Sequence, residues 1–260
     1  MNILEKIVAT KKQEIALSKS KNPISNLEKS DFFDRQTVSL KSNILKPEST
    51  GIIAEFKRKS PSKGIINDSA NVGDVVGQYE MAGVAGASVL TDNEYFGGSY
   101  EDLISARNKV AIPLLRKDFM VDDYQFFEAK SWGADVILLI ASILSPKEVL
   151  HFTNLAKSLG LEVLLELHDE SELDHVNELI DMVGINNRNL KTFEVDIDQS
   201  IRMANKLGSQ FVKIAESGIS NINTLKQFRE SGFNGFLIGE QFMKTNNPGL
   251  ACENFIAELR

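Results

Sequence analysis

The chain has 260 residues, 42% of them hydrophobic and 25% charged, with a net charge of −7. That is length for one large α/β barrel or two smaller domains, of ordinary globular composition. The acidic balance argues against a general nucleic-acid binder, a lone Cys252 excludes an intrachain disulfide, and the longest apolar run, Val136 to Ala141, is far short of the ~18 residues that span a bilayer.

The N-terminal segment Met1-Asn2-Ile3-Leu4-Glu5-Lys6 carries an early acid and no apolar core, so it does not read as a secretory signal and a cytoplasmic protein is expected. Apolar residues at 3, 4, 7, 8 and 15 make an amphipathic helix. Phe32-Phe33 and the stretch 40–45 supply further apolar surface. Residues 1–50 therefore read as a helical extension that packs on the following domain and covers one end of it.

From Gly51 onward the pattern is regular. Eight short apolar runs, at 51–55, 87–90, 112–116, 136–140, 162–166, 182–185, 211–215 and 235–238, read as buried strands. Helical patterns follow them at 72–81, 100–109, 123–132, 145–159, 170–179, 197–207, 221–231 and 248–259. Asp122-Asp123, Ser145-Pro146 with Glu148, and Ser220 fit helix starts, and Gly83, Gly133, Gly160, Gly208 and Gly232 fit helix ends. Strand–helix alternation of this length implies a parallel sheet, and eight units match a closed (β/α)8 TIM barrel, one domain over residues 1–260. An open doubly wound sheet would need a G-x-G-x-x-G turn after the first strand. That turn reads Lys59-Ser60-Pro61-Ser62-Lys63-Gly64.

In such a barrel, chemistry sits where strands end. The first strand ends in Glu55-Phe56-Lys57, whose charged side chains share a face, and Lys57, Arg58, Lys59 and Lys63 reverse the sign of an acidic protein locally. Later ends bring Lys117, Glu166, Asn186, Arg188 and Glu216. By parity Lys117 faces with Leu115, Glu166 with Leu164, Asn186 with Arg188, and Glu216 with Ile214. One strand-end charge alone reads as a solvated loop residue. Three carboxylates (Glu55, Glu166, Glu216) and two lysines facing into one mouth imply an acid–base cluster whose members shift one another's pKa. Ser217-Gly218 and Gly239-Glu240, each before a helical turn, suit a phosphate held by backbone N–H groups. His151, His168 and His175 lack metal-ligand spacing, and no metal site is expected.

These segments resemble the indole-3-glycerol-phosphate synthase family. The resemblance rests on Ile53-Ala54-Glu55-Phe56-Lys57-Arg58-Lys59-Ser60-Pro61-Ser62, Leu115-Arg116-Lys117-Asp118-Phe119, Gly184-Ile185-Asn186-Asn187-Arg188-Asn189-Leu190, Ala215-Glu216-Ser217-Gly218-Ile219 and Leu237-Ile238-Gly239-Glu240, with Tyr95-Phe96-Gly97-Gly98-Ser99 and the helix at Leu4 to Val8. It implies conversion of 1-(2-carboxyphenylamino)-1-deoxyribulose 5-phosphate to indole-3-glycerol phosphate, carbon dioxide and water, without metal or organic cofactor. It implies Lys117 as general acid and Glu166 as general base. Lys57 matches a lysine that contacts substrate phosphate or carboxylate and is a candidate donor to the leaving hydroxyl. Glu55 and Asn186 match orienting residues, and Glu216 a further polar one. Ser60 and Arg188 match groups near the substrate carboxylate. Pro61, Phe96, Leu114, Phe119 and Leu138 match an aryl pocket. Ser217, Gly218, Gly239 and Glu240 match a phosphate site, the Glu240 carboxylate turned away. Arg58 and Lys59 are left as solvated residues. The partner is a small phosphorylated molecule and the enzyme a monomer. A related phosphate-binding isomerase of the same pathway would need a catalytic cysteine, and Cys252 lies beyond the last strand. A non-catalytic binding barrel would need no such paired lysines and carboxylates.

Overall fold

The computed structural model describes residues 2–188 and 195–260; Asn189 and Leu190 of the strand-end motif lie outside them. Eight parallel strands close on themselves: β1 Ile52–Phe56, β2 Gly86–Leu90, β3 Leu114–Lys117, β4 Val136–Ile140, β5 Glu162–Leu167, β6 Met182–Asn186, β7 Val212–Glu216 and β8 Gly235–Ile238. Each pairs with its sequence neighbours, and β1 closes the ring by pairing with β8 through Ile52–Phe236, Ile53–Leu237 and Ala54–Ile238. The third strand begins two residues later than its apolar pattern suggests because Pro113 has no N–H to give the ladder.

The alternation of strand side chains divides the interior into two layers. Ile53, Leu115, Leu138, Ile140, Leu164, Met182, Ile214 and Leu237 fill the barrel. Ile52, Ala54, Leu114, Ile137, Leu139, Val183 and Ala215 face the surrounding helices. Leu114 is therefore a correction: it lies in the outer layer, fully buried, not in an aryl pocket. Leu115 and Lys117 take the inner face of β3, which leaves Leu114 and Arg116 the outer one.

Outside the barrel lie α4 Val72–Ala82, α5 Tyr100–Lys109, α6 Tyr124–Ser131, α7 Pro146–Ser158, α8 Ile197–Lys206, α9 Ile222–Glu230, the short α10 Glu240–Met243 and α11 Pro248–Leu259. Ser145 caps α7 in a capping box with Glu148, while α9 is capped by Asn221, one residue past Ser220. The helix expected at 170–179 is only a 3-10 segment, Glu170–His175. It has no buried residue, so no packing favours a further turn.

The first fifty residues cover both barrel ends. Helix α1, Ile3–Lys21, lies over the C-terminal mouth, where Ile3, Leu4 and Ile7 face the central pocket. Its Lys11 reaches down between Asp92 (3.0 Å) and Asp118 (3.1 Å), just beyond β2 and β3. After α2, Ile24–Leu27, the chain passes α6 to the opposite end. There Arg35 pairs with Asp135 at 2.6 Å, and α3, Leu40–Ile44, plugs the barrel floor with Leu40 against Gly86 and Ile44 against Gly235. Glu162, at the start of β5, accepts from the Leu40 and Lys41 N–H groups at 2.9 and 3.1 Å, a carboxylate on a helix start.

Candidate active site

The strand ends at the mouth deliver their side chains into one pocket of about 270 Å³. It is lined by Glu55, Lys57, Ser60, Pro61, Phe96, Lys117, Phe119, Leu138, Glu166, Asn186, Arg188, Glu216, Ser217, Gly218, Gly239 and Glu240, which are all the expected site residues except Leu114.

Its centre is Lys117. The Nζ atom donates to Glu166 Oε2 at 2.9 Å and to Glu216 Oε2 at 2.7 Å, across residue separations of 49 and 99. Register and parity explain the meeting: Glu166 pairs with Gly184, Asn186 two residues on pairs with Glu216, and Leu90 pairs with Lys117, so all these side chains face the barrel interior near its C-terminal end. A Cβ at Gly184 would collide with Glu216 Oε1, so only glycine leaves the Glu216 carboxylate room there. Just past the end of β1, Lys57 donates to Glu55 Oε1 at 2.6 Å. Asn186 Nδ2 donates to Glu166 Oε1 at 3.0 Å.

Burial and mutual charge set the protonation states. Burial disfavours the Lys117 ammonium, but Glu166, Glu216 and Glu55 outweigh it and raise its pKa. Burial likewise opposes ionisation of Glu166, yet Lys117, with His168 and Asn186, holds it well below the usual carboxylate range. Glu216 goes the other way: burial, with Glu166 beside it, outweighs Lys117 and pushes it up to about 7. Two carboxylates thus share one ammonium with their proton affinities driven apart, the pattern that divides acid from base.

An apolar wall stands beside this cluster. Phe96 and Phe119 tilt against each other at 6.0 Å, with Leu138, Ile140, Leu90 and Leu237 completing it. Opposite lie the turns after β7 and β8. Ser217 has φ 67°, a left-handed conformation rare for a residue with a side chain, and Asn187 Nδ2 donates to its carbonyl at 2.7 Å. At Gly239 a Cβ would lie 2.6 Å from Glu55 Oε1. The two turns present backbone to the pocket, as an anion site requires.

Four placements differ from expectation. The Glu240 carboxylate does not turn away: it faces Arg188 Nη2 at 3.5 Å and Lys63 Nζ at 3.6 Å, drawn by two cations across the mouth. Arg58 points out of the barrel but is not simply solvated. It donates to Asp102 at 2.8 Å and to the Gly97 carbonyl at 3.2 Å, tying the loop after β1 to the start of α5. Lys59 reaches the Glu94 carbonyl at 2.5 Å. His168, read only as a scattered histidine, lies in the pocket with Nε2 3.0 Å from Glu166 Oε1. Its position two residues after Glu166, on the same strand face, was the signal that could have found it.

A closed parallel barrel with an enclosed lysine–carboxylate cluster and two backbone turns at its C-terminal mouth defines a (β/α)8 enzyme acting by acid–base chemistry on a small anion. The family described as indole-3-glycerol phosphate synthase matches residues 4–255. A protein of that name from Bacteroides thetaiotaomicron is 45% identical over 259 residues, covering 100% of this chain and 99% of its own. Another, from Laribacter hongkongensis, is 40% identical over 261 residues, covering 98% and 99%. Among solved structures, 3-hexulose-6-phosphate synthase superposes with TM-score 0.64 at 12% identity, covering 81% of this chain and 100% of that one. A mutant tryptophan synthase alpha-subunit from Pyrococcus furiosus gives 0.61 at 13%, covering 80% and 97%. At such identities these two show the fold alone. The chain belongs to the indole-3-glycerol phosphate synthase family. Its activity is the carboxy-lyase step of tryptophan biosynthesis that closes the indole ring of a phosphorylated substrate, releasing carbon dioxide and water.

Proposed function

We propose that Lys117 is the general acid of the ring closure and Glu166 the base that completes it. The observation that carries this reading is the Lys117 ammonium held at 2.9 and 2.7 Å by Glu166 and Glu216 beside the apolar wall. Attack of the aryl carbon on the ketone turns its oxygen into an alkoxide, which is basic enough to take a proton even from an ammonium of raised pKa. Carbon dioxide then leaves, and its electron pair restores the aromatic ring. The wall of Phe96, Phe119, Leu138 and Pro61 favours this loss by stripping water from the carboxylate. Lys57, paired with Glu55, gives a proton to the departing hydroxyl, and Glu166 takes the ring proton. Two protons enter and one leaves, which balances loss of carbon dioxide from a carboxylate and of one water.

Arg188 and Ser60 receive the substrate carboxylate, Asn186 and Glu216 orient the reacting groups, and the turns at Ser217-Gly218 and Gly239-Glu240 take the phosphate through their N–H groups. The 260 residues act as one catalytic unit, as a monomer, in the cytoplasm, with no nucleic-acid or membrane partner. The net charge of −7 supports the reading that nucleic acid is not its partner, and no helix among the described residues is long and apolar enough to cross a membrane. Lys117→Ala should abolish the appearance of indole fluorescence while substrate still binds by calorimetry. Near-wild-type turnover in that variant would defeat the general-acid assignment.

A further inference from the structure

The chain has three histidines, and two of them contrast sharply in their surroundings. His175 has both ring nitrogens against backbone carbonyls, Nδ1 at 3.0 Å from Glu172 O and Nε2 at 2.8 Å from Leu144 O, outside the pocket. That is a structural histidine. His168 lines the pocket with its side chain only 10% exposed and its Nε2 3.0 Å from Glu166 Oε1, a close approach at a skewed angle, and neither ring nitrogen has a well-aligned hydrogen-bond partner among the described residues. A carboxylate oxygen only accepts, so the contact is attractive when Nε2 carries a proton, and a small ring rotation brings that N–H onto Oε1. Glu166 is thus gripped from three sides: Lys117 on Oε2, Asn186 and His168 on Oε1.

We propose that His168 is a positioning residue for the reaction: its Nε2–H aligns the Glu166 carboxylate toward the ring proton, and its protonation state sets how strong a base Glu166 is. The inference rests on Glu166 being that base. A neutral ring aligns Glu166 and leaves its basicity intact. An imidazolium adds a second cation beside Lys117 and weakens the base further.

Carboxylates from three elements face His168, with the Lys117 ammonium on the far oxygen of Glu166. Glu166 shares its strand, Glu216 faces it from β7, and Glu172 of the 3-10 segment accepts the His168 backbone N–H at 2.6 Å. Burial works against the imidazolium, but these carboxylates outweigh it and raise the His168 pKa above its ordinary value of 6.5. Glu166 itself is held well below the carboxylate range, so it stays ionised where His168 titrates. The acid-side fall of the rate therefore does not report Glu166; His168 and Glu216 are the site groups that change charge there, and the part set by His168 is the part that His168→Gln removes.

Two substitutions and one spectrum test this. His168→Leu removes the grip and should lower kcat on the order of ten- to a hundredfold, the worth of one charge-assisted hydrogen bond, with KM little changed. His168→Gln puts an amide N–H where Nε2 stood without a titrating charge. It should recover most of the loss and erase the acid limb set by His168. With nitrogen-15-labelled histidine, His168 should titrate above 6.5 in the wild type and lower than that wild-type value in Glu166→Gln, where burial is less opposed. Wild-type kcat in His168→Leu, or an unchanged acid limb in His168→Gln, would overturn the proposal. If His168→Leu does not fold, the His168→Gln profile and the titration in Glu166→Gln decide it. The base assignment fails separately: it falls if Glu166→Gln turns over normally, whereas loss of turnover there with normal His168→Leu sinks only the role of His168.

Discussion

Glu216 shows how one side chain records its neighbourhood. It sits at the end of β7, fully enclosed, with an ammonium on one oxygen and a second carboxylate close by. Its pKa near 7 in the folded protein exceeds the 4.5 of the free side chain. The folded state then holds this proton more tightly than the unfolded chain. Its contribution to stability is fully present below pH 4.5 and is lost as the pH rises through about 7. Comparing urea midpoints of the wild type and Glu216→Gln across pH should show the wild type losing ground only between those values. A difference that stays constant across that window would mean that the carboxyl titrates in its ordinary range.

At the scale of elements, α1 is fastened by a charge buried beneath it. Lys11 is 4% exposed and bonded to Asp92, Asp118 and Glu14. Burial opposes the Asp118 charge, but Lys11 and Arg116 hold its pKa down to about 2. Removing the ammonium leaves the enclosed Asp92 without its cation and Asp118 with Arg116 alone. Lys11→Met should therefore cost about 3–5 kcal/mol, read as a drop in denaturant midpoint at neutral pH. Because Asp118 sits between Lys117 and Phe119, the same substitution should also raise KM. The loop after β1 is held in a comparable way, by Arg58 on Asp102. A cation that sequence leaves as a solvated residue is thus a fastener, since nothing local to Arg58 reveals that Asp102 lies beside it.

For the whole molecule, the extension is what closes the barrel at both ends. The inner core contains Ile7 from above and Leu40 and Ile44 from below, together with the inward strand residues. Deleting residues 2–22 should leave the strand ring paired, because none of its ladder partners lies in that segment. It should also expose Ile140 and Phe119 at the mouth, lower the melting temperature and weaken substrate binding, measurable by scanning calorimetry and by KM. Unchanged binding would restrict α1 to a packing role.

Much of this was legible before any coordinates. Strand–helix alternation is written in short-range periodicity, and so is the face on which Glu55, Lys57, Lys117, Glu166 and Glu216 lie, because side chains alternate along a strand whatever surrounds it. The segment at 170–179 misled because a helical pattern forms a helix only when packing favours it, and none of its residues in the 3-10 turn is buried. Leu114 misled because its neighbours, not its own chemistry, gave the inner face of β3 to Leu115 and Lys117. His168 was overlooked because a histidine acquires a role only from the atom it touches. The sequence by itself determined which residues stand at the strand ends and which way they face, since both follow from local geometry. Only the tertiary structure decided that Lys117 stands between Glu166 and Glu216, that α1 lies over them, and that their proton affinities diverge. Those properties arise from ring closure and burial, which act between residues far apart in the chain.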